Sequence, residues 1–215
     1  LFKNLPLISR VYVVGQDYIN RYKELYGENE NINKFIYQHL CADNHFPLIE
    51  HTNKLYDWCF IGQVYPAYEE RLKHHRTQII PCLLDVCPNG FVAGPGWGSI
   101  LGNRSKSNKW IDQSLVNDLY SQCLVTVSID AHDGVGYTST RPIEMMHAGH
   151  CTFIYDHAGM MYFKKYVHDG VHAFYFKTAQ DFIDRLEYIK NNPEIARKVG
   201  LAGRNIILNN HWTVS

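Results

Sequence analysis

The sequence predicts a doubly wound α/β domain, in which helices cover both faces of a parallel, Rossmann-like sheet. Short apolar runs alternate with amphipathic stretches along the chain, which is the pattern of parallel strands connected by helices. Hydrophobic residues make up 46% and charged residues 20% of the sequence, as is typical of folded globular proteins. A length of 215 residues is enough for one such domain and a short extension.

The elements follow from these runs and from local start and stop signals. The predicted strands are Arg10–Val14, Lys34–His39, Asp57–Ile61, Gly90–Ala93, Leu124–Ile129, Cys151–Tyr155 and Ala173–Phe176. The predicted helices are Tyr18–Tyr26, Pro66–Ile79 with a possible continuation past Pro81, Gln113–Gln122, Arg141–His147, Gly159–Tyr166, Ala179–Lys190 and Pro193–Leu208. The last helix has a clear start signal, because Asn192 can cap it and Pro193 suits its first turn.

Residues 1–55 are predicted to form an N-terminal βα extension and a linker, and residues 56–215 the main domain. The extension contains one strand and one helix, followed by a second strand that runs into a turn. The chain starts at Leu1 without methionine and ends shortly after Trp212. We therefore expect it to be a segment of a longer, multidomain polypeptide.

Glycines follow two of the predicted strands. Gly62 and Gln63 come after the strand that ends at Ile61, where a glycine lets the backbone approach a ligand at the carboxyl end of a parallel strand. A simple tight turn explains Gly62 equally well.

The second glycine segment has the sequence GPGWG, in which Gly94, Gly96 and Trp97 are candidate binding residues. Its glycines and proline predict an exposed loop that a ligand approaches closely. The alternative is that Trp97 only packs over the edge of the sheet.

Three polar residues follow the predicted strand Leu124–Ile129, namely Asp130, His132 and Asp133. Polar groups at the carboxyl end of a parallel strand face the ligand crevice, so these three are the candidate catalytic residues. Asp130 and Asp133 could also be read as a metal pair. Their spacing does not match the Asp-x-Asp pattern, and we expect no metal.

The loop after these residues leads into a helix, an arrangement whose free backbone N–H groups suit a diphosphate. Candidate phosphate-facing amides belong to Gly136 and Tyr137, and candidate hydroxyl donors or caps are Thr138, Ser139 and Thr140.

The helix itself carries Arg141 and Glu144. The arginine is a candidate for phosphate binding, and the glutamate can accept two hydrogen bonds from a ribose diol. The alternative is that the two residues form an ordinary surface pair three positions apart. His147, on the apolar face of the same helix, is expected to be a satisfied core residue.

Charge and cysteine content exclude several classes of protein. Lysine plus arginine equals aspartate plus glutamate, 21 of each, whereas a general nucleic-acid or membrane-surface binder needs a basic excess. No apolar run reaches the ~18–20 residues of a membrane span, and no signal peptide is visible. The six cysteines have no zinc-site spacing, so we expect reduced thiols in a cytoplasmic protein.

The segment Glu144-Met145-Met146-His147-Ala148-Gly149 before a buried strand resembles the signature of the nucleotide-sugar half of GT-B glycosyltransferases. Arg141, three residues before the glutamate, is most similar to the spore-maturation branch of that superfamily. The resemblance runs from Tyr56 to about Asn209. Two features depart from it: Gln63 stands where many relatives have a basic residue, and Gly136 stands where many have a second glutamate.

The resemblance implies a glycosyltransferase that moves a sugar from a nucleoside-diphosphate sugar to a glycan acceptor hydroxyl, without a metal or another cofactor. Uridine diphosphate is the expected nucleotide, and a deoxyhexose such as rhamnose is one option for the sugar. The acceptor's proton would go to one of the three candidate catalytic residues or to a base on the other domain. The alternative is a non-catalytic nucleotide-sugar-binding module of a larger protein.

Overall fold

In the computed structural model, the described residues are 10–13, 16–37, 42–43, 48, 53–64, 76–130, 138–161, 163–210 and 213–214. The strands are β1 Val11–Val13, β2 Phe35–Tyr37, β3 Ala42–Asp43, β4 Tyr56–Ile61, β5 Gly90–Ala93, β6 Cys123–Ser128, β7 Thr152–Tyr155, β8 Phe174–Phe176 and β9 Thr213–Val214. The helices are α1 Gln16–Tyr26, α2 Arg76–Val86, α3 Trp97–Leu101, α4 Gln113–Ser121, α5 Thr140–His147, α6 Ala179–Asn191 and α7 Pro193–Asn209.

The main sheet has five strands in the order β5-β4-β6-β7-β8, and every pair in it is parallel. β1 and β2 form a separate parallel pair, and β3 pairs with β9. The predicted α/β class with a parallel sheet is confirmed. The strand order reverses at β4, because β5 lies on one side of it and β6 on the other.

Alternating residues of β4 face the two layers of the core. Trp58 and Phe60 belong to one apolar cluster, which also contains Phe153 and residues of α2 and α6. Cys59 and Ile61 belong to another, with residues of α4 and α5. Helices therefore cover both faces of the sheet, which makes it doubly wound.

All seven predicted strands are confirmed: Gly90–Ala93 has both predicted ends, and no end of the other six differs by more than two residues. The prediction of an α-helix at Gly159–Tyr166 is wrong, because two short 3₁₀ turns occupy Ala158–Met161 and Phe163–Lys165. The helix predicted at Pro66–Ile79 is described only from Arg76, and it does continue past Pro81, to Val86. Its first ten residues lie outside the described part of the chain.

Capping side chains fix several helix ends. Asp112 accepts a hydrogen bond from the backbone N–H of Ser114 at the start of α4, at 2.9 Å. Thr178 accepts one from the N–H of Asp181 at the start of α6, at 3.1 Å. The predicted boundary at Asn192-Pro193 is confirmed, because α6 ends and α7 begins there.

Candidate functional site

A cleft lies at the point where the strand order reverses, beside the carboxyl end of β4. Open α/β sheets bind their ligands at such switch points, since the loops leaving the two neighbouring strands diverge and leave a crevice. Four of the predicted binding residues line this cleft, namely Gly62, Gly94, Arg141 and Glu144. Trp110 and Tyr120 line it as well.

The two glycine segments run side by side at one wall of the cleft. The N–H of Gly62 donates to the carbonyl of Ala93 at 3.0 Å, and the N–H of Val64 donates to that of Pro95 at 2.9 Å. Gly94 has a φ of +130°, and a Cβ there would lie 2.4 Å from the carbonyl oxygen of Gly62. Only glycine fits this position. Gly96, at φ +90°, makes a similarly close approach to Val64.

Trp97 does not form the pocket wall that its loop suggested. Its side chain is fully buried, it begins α3, and its ring packs edge-on against Phe60 at 5.7 Å between centroids. The indole Nε1 donates to the carbonyl of Gly62 at 2.6 Å. A ring in the core cannot contact a ligand in the cleft. The prediction that Trp97 binds a ligand is therefore corrected: the side chain holds the turn at Gly62 from within the core.

Helix α5 brings Arg141 and Glu144 to the cleft from the opposite side. Thr140 is its first residue, and Ser139 occupies the cap position. Because α5 follows β6, its N-terminal end lies at the same edge of the sheet as Gly62. Helix starts carry a positive dipole end and N–H groups without intrahelical partners, although Pro142 supplies none here.

The guanidinium of Arg141 is placed by its contacts with β4. Its Cζ lies 5.6 Å from the centre of the Phe60 ring, and its Nη2 would lie 3.0 Å from a Cβ at Gly62. The Nη1 atom is buried and finds no hydrogen-bond partner among the described residues. A buried donor without a partner costs about 1–3 kcal/mol, which an anionic ligand at this position would recover.

Two more buried hydroxyls near this edge also find no partner within the described segments. They are Oγ of Ser128, the last residue of β6, and Oγ1 of Thr138, just before α5. Among the described residues, they and Arg141 are three of the four buried side chains with an unsatisfied polar atom, and the fourth is His147. Such groups are rare in folded proteins, and the one that lines the cleft, Arg141, indicates a place for a polar ligand.

The carboxylate of Asp130 is not accessible to an acceptor as a base. Its carboxylate is buried, and Oδ1 accepts hydrogen bonds from the backbone N–H of Ser139, at 3.3 Å, and from the hydroxyl of Ser139. Its Oδ2 lies 3.3 Å from Nε2 of His157, which is itself buried. A carboxylate engaged on both oxygens holds the start of α5 in place, and we assign it that positioning role.

Four predicted site residues lie outside the described residues. These are His132, Asp133, Gly136 and Tyr137. Gln63 is described, and its backbone carbonyl accepts a hydrogen bond from Nη1 of Arg76 at 3.1 Å.

Sequence reasoning missed Arg76, which joins the two strand ends at the switch point. It is buried, and its Nε donates to the carbonyl of Ile129 at 2.7 Å while Nη1 reaches Gln63. It also lies 5.5 Å from the centre of the Phe60 ring. In the sequence it closes the basic run KHHR, which predicts a solvated helix face and gave no sign of this role.

Tyr120 and Trp110 were also not assigned to the site. Tyr120 is 2% exposed; burial raises the pKa of its hydroxyl, and the charge of Arg141 opposes that rise. Trp110 is 72% exposed and lies at the rim of the cleft. Tyr120 lies on an apolar helix face and Trp110 in a polar loop, and both kinds of segment are too common for the sequence to identify these residues as part of a site.

The described residues contain neither a candidate metal cluster nor a helix suited to a membrane span. No group of three or more His, Cys, Asp or Glu side chains in the described segments could hold a metal ion. No helix among them has both the length and the apolar character needed to cross a membrane.

Solved structures share this fold at low sequence identity. Sucrose-phosphate synthase from Thermosynechococcus elongatus is 14% identical with a TM-score of 0.64, and the match covers 97% of this chain and 56% of that one. Anabaena HepE in complex with UDP-glucose is 14% identical with a TM-score of 0.68, covering 96% and 63%. S. aureus TarM is 13% identical with a TM-score of 0.68, covering 96% and 41%. This chain thus spans 41–63% of the length of these three proteins.

No curated protein matches the sequence. A family profile described as "Glycosyl transferase-like" does match, over residues 76–215, which is more than half of the chain and includes α5 and the strands beside it. The chain therefore belongs to the glycosyl transferase-like family, and it has the fold of the C-terminal domain of GT-B glycosyltransferases.

Proposed function

We propose that this protein transfers a sugar from a uridine-diphosphate sugar to a hydroxyl group of a glycan acceptor, without a metal ion. The observation that carries the proposal is the buried Nη1 atom of Arg141 at the switch-point cleft, which finds no hydrogen-bond partner among the described residues. An arginine binds a diphosphate well, since its planar guanidinium can bridge two oxygens.

The diphosphate would lie between Arg141 and the start of α5. Negative charge develops on the leaving diphosphate as the sugar is transferred, and a cation and helix-terminal N–H groups fixed in advance stabilise it. This arrangement replaces the metal that other sugar-nucleotide enzymes use. It also replaces the basic residue that the resemblance places after Gly62, where this chain has Gln63.

The nucleoside would extend away from the diphosphate along the same cleft. Glu144 lies one turn beyond Arg141 on α5, where its carboxylate would accept hydrogen bonds from the ribose diol. The exposed ring of Trp110 at the rim would stack on the base. We propose uridine because HepE, with the same fold, has been solved with UDP and with UDP-glucose.

The same proposal includes the transferred sugar, the branch of the superfamily and the catalytic base. We propose that the transferred sugar is a hexose, with a deoxyhexose such as rhamnose as one option. From Arg141 three residues before Glu144, we also propose that the chain belongs to the spore-maturation branch. With Asp130 engaged, the base that takes the acceptor's proton would be His132, Asp133 or a residue of the other half of the enzyme.

The domain boundary and cellular location are proposals too. Residues 1–55 would form the extension and linker, and residues 56–215 the nucleotide-sugar-binding domain of a longer protein. The free thiols of Cys59, Cys87, Cys123 and Cys151 favour a reducing, cytoplasmic location.

A second candidate function is a nucleotide-sugar-binding module without turnover. Gly136 in place of a second glutamate favours it. Release of free sugar from UDP-glucose, or transfer to an added glycan, separates the two candidates. The module would bind UDP and do neither.

Calorimetric titration of the chain with UDP, with UDP-glucose and with uridine tests the proposal. UDP is expected to bind more tightly than uridine, and equally well with and without a chelator. UDP at 100 times its dissociation constant should also add about 2.7 kcal/mol to the free energy of unfolding in a thermal-shift assay. Absence of UDP binding would overturn both candidate functions, and a more than tenfold loss with chelator would overturn the metal-independent one.

A further inference from the structure

Arg141 and Tyr120 line the same wall of the cleft from two different helices. Tyr120 lies near the end of α4, whereas Arg141 lies in the first turn of α5. The two residues are close enough for the guanidinium charge to act on the phenol, and the Glu144 carboxylate acts on it as well. Tyr120 thus lines the same cleft as the cation and the carboxylate of the proposed nucleotide site, near enough to feel both charges.

Hydrogen-bonding chemistry fixes what this hydroxyl can do. Burial raises the pKa of Tyr120 above its usual range, so the phenol keeps its proton at neutral pH. A guanidinium has donors only, so Tyr120 must accept from Arg141 if it bonds to it. Its own proton is then available to Glu144 or to a bound ligand.

Neighbouring buried side chains hold the ring of Tyr120 in place. Its ring meets the ring of His150 edge-on, with 5.8 Å between centroids. Nε2 of His150 lies 2.8 Å from Oδ1 of Asn117, which is one turn before Tyr120 on α4. All three side chains are buried, so the phenol cannot move without disturbing this packing.

We infer that Tyr120 is a positioning residue that holds the Arg141 guanidinium in the orientation that receives the diphosphate. The Phe60 ring also contacts this guanidinium, and the missing side chain at Gly62 leaves room for it. The inference rests on the proposed function of the cleft and adds a residue to it. Tyr120 acts through Arg141, so its loss affects ligands with a diphosphate and spares those without one.

The variant Tyr120→Phe removes the hydroxyl and keeps the ring against His150. Calorimetry should show an affinity for UDP lowered by about tenfold, the effect of losing one hydrogen bond to a charged group, and an unchanged affinity for uridine. Combined with Arg141→Lys, the loss should be clearly less than the product of the two single losses, because both changes affect one contact.

A second buried tyrosine provides the matched control. Tyr175 is 4% exposed, and its hydroxyl donates to the carbonyl of Val167 at 2.9 Å, with no part in the cleft lining. Tyr175→Phe should lower the thermal unfolding temperature about as much as Tyr120→Phe and leave UDP affinity unchanged. Equal losses of UDP affinity in both variants would show a structural effect alone and overturn the inference.

The outcomes separate the inference from the function on which it rests. If the wild-type chain fails to bind UDP, the proposed function fails, and the role of Tyr120 fails with it. If Arg141→Lys weakens UDP binding but Tyr120→Phe does not, only the role of Tyr120 is wrong. Should Tyr120→Phe not fold, NMR of the wild-type chain decides: separate, slowly exchanging guanidinium signals of Arg141 before UDP is added support the inference, and one averaged signal contradicts it.

Discussion

Gly62 and Arg141 share one corner of the switch-point cleft: a methyl group on Gly62 would lie 3.0 Å from Nη2 of Arg141. The same methyl group would lie 3.1 Å from the ring of Phe60, on which the guanidinium packs. The absence of a side chain at position 62 therefore creates the space that the cation occupies.

Gly62→Ala should displace the guanidinium, because the end of an arginine side chain yields more easily than the backbone. We expect the affinity for UDP to fall by about tenfold and that for uridine to stay unchanged, as calorimetry can measure. Gly98→Ala is the control, since its methyl group would lie 3.0 Å from the Asn108 side chain, away from the cleft lining. Equal effects of the two variants on UDP binding would contradict this account.

Glu144→Ala should weaken UDP binding by roughly 1.5–3 kcal/mol, the scale of hydrogen bonds to a charged group. Because the glutamate is expected to hold the ribose diol, the wild-type preference for UDP over 2′-deoxyuridine diphosphate should disappear in the variant. Glu187→Ala, on the exposed face of α6, serves as the control. An unchanged affinity for UDP in a folded Glu144→Ala variant would refute the assignment.

Trp110→Ala should cost about 1–3 kcal/mol of UDP affinity, the usual value for stacking of a base on an aromatic ring. Trp110→Phe should keep most of the affinity. Since the side chain is 72% exposed, neither change should affect the thermal unfolding temperature. If the alanine and phenylalanine variants bind UDP equally well, Trp110 does not stack on the base.

The lowered pKa of His147 predicts that the stability of the folded chain depends on pH. Burial and the nearby Arg204 charge lower the pKa of its imidazole below the ordinary value of 6.5. Below pH 6.5 the unfolded chain therefore binds a proton that the folded chain does not, so stability should fall as the pH drops from 7 through this range. In thermal unfolding at several pH values, His147→Leu should reduce the slope. His172, whose pKa is also lowered by burial, should account for part of the remainder, and an unchanged slope in His147→Leu would contradict the assignment.

The sequence predicted the sheet and its ligand edge because both depend on local signals. The strands are apolar runs, Gly62 and Gly94 mark the turns after two of them, and α5 has a clear stop at Gly149. These signals placed Arg141 and Glu144 on a helix that starts at the carboxyl edge of the sheet, and both residues line the cleft there.

The remaining site contacts depend on which elements pack together, and the sequence does not encode that locally. Trp97 was expected in an exposed loop, but its ring is buried and its indole N–H donates to the carbonyl of Gly62. His147 was expected to be satisfied, yet its Nδ1 finds no hydrogen-bond partner among the described residues. The register of their helices against the sheet brings Tyr120 to the cleft and Arg76 to the backbone carbonyls of Gln63 and Ile129, and neither residue belongs to a recognisable motif.

The most direct test of the central claim is a calorimetric titration of UDP and of UMP into the wild-type chain and Arg141→Lys, in the presence of a chelator. We expect the lysine variant to keep its affinity for UMP and to lose about tenfold or more for UDP, because an ammonium cannot bridge two phosphate oxygens as a guanidinium does. Arg185→Lys, which changes a half-buried arginine paired with Asp169 outside the cleft lining, should bind both nucleotides as the wild type does. Equal affinity of Arg141→Lys and the wild type for UDP would contradict the claim that Arg141 is the cation of the diphosphate site.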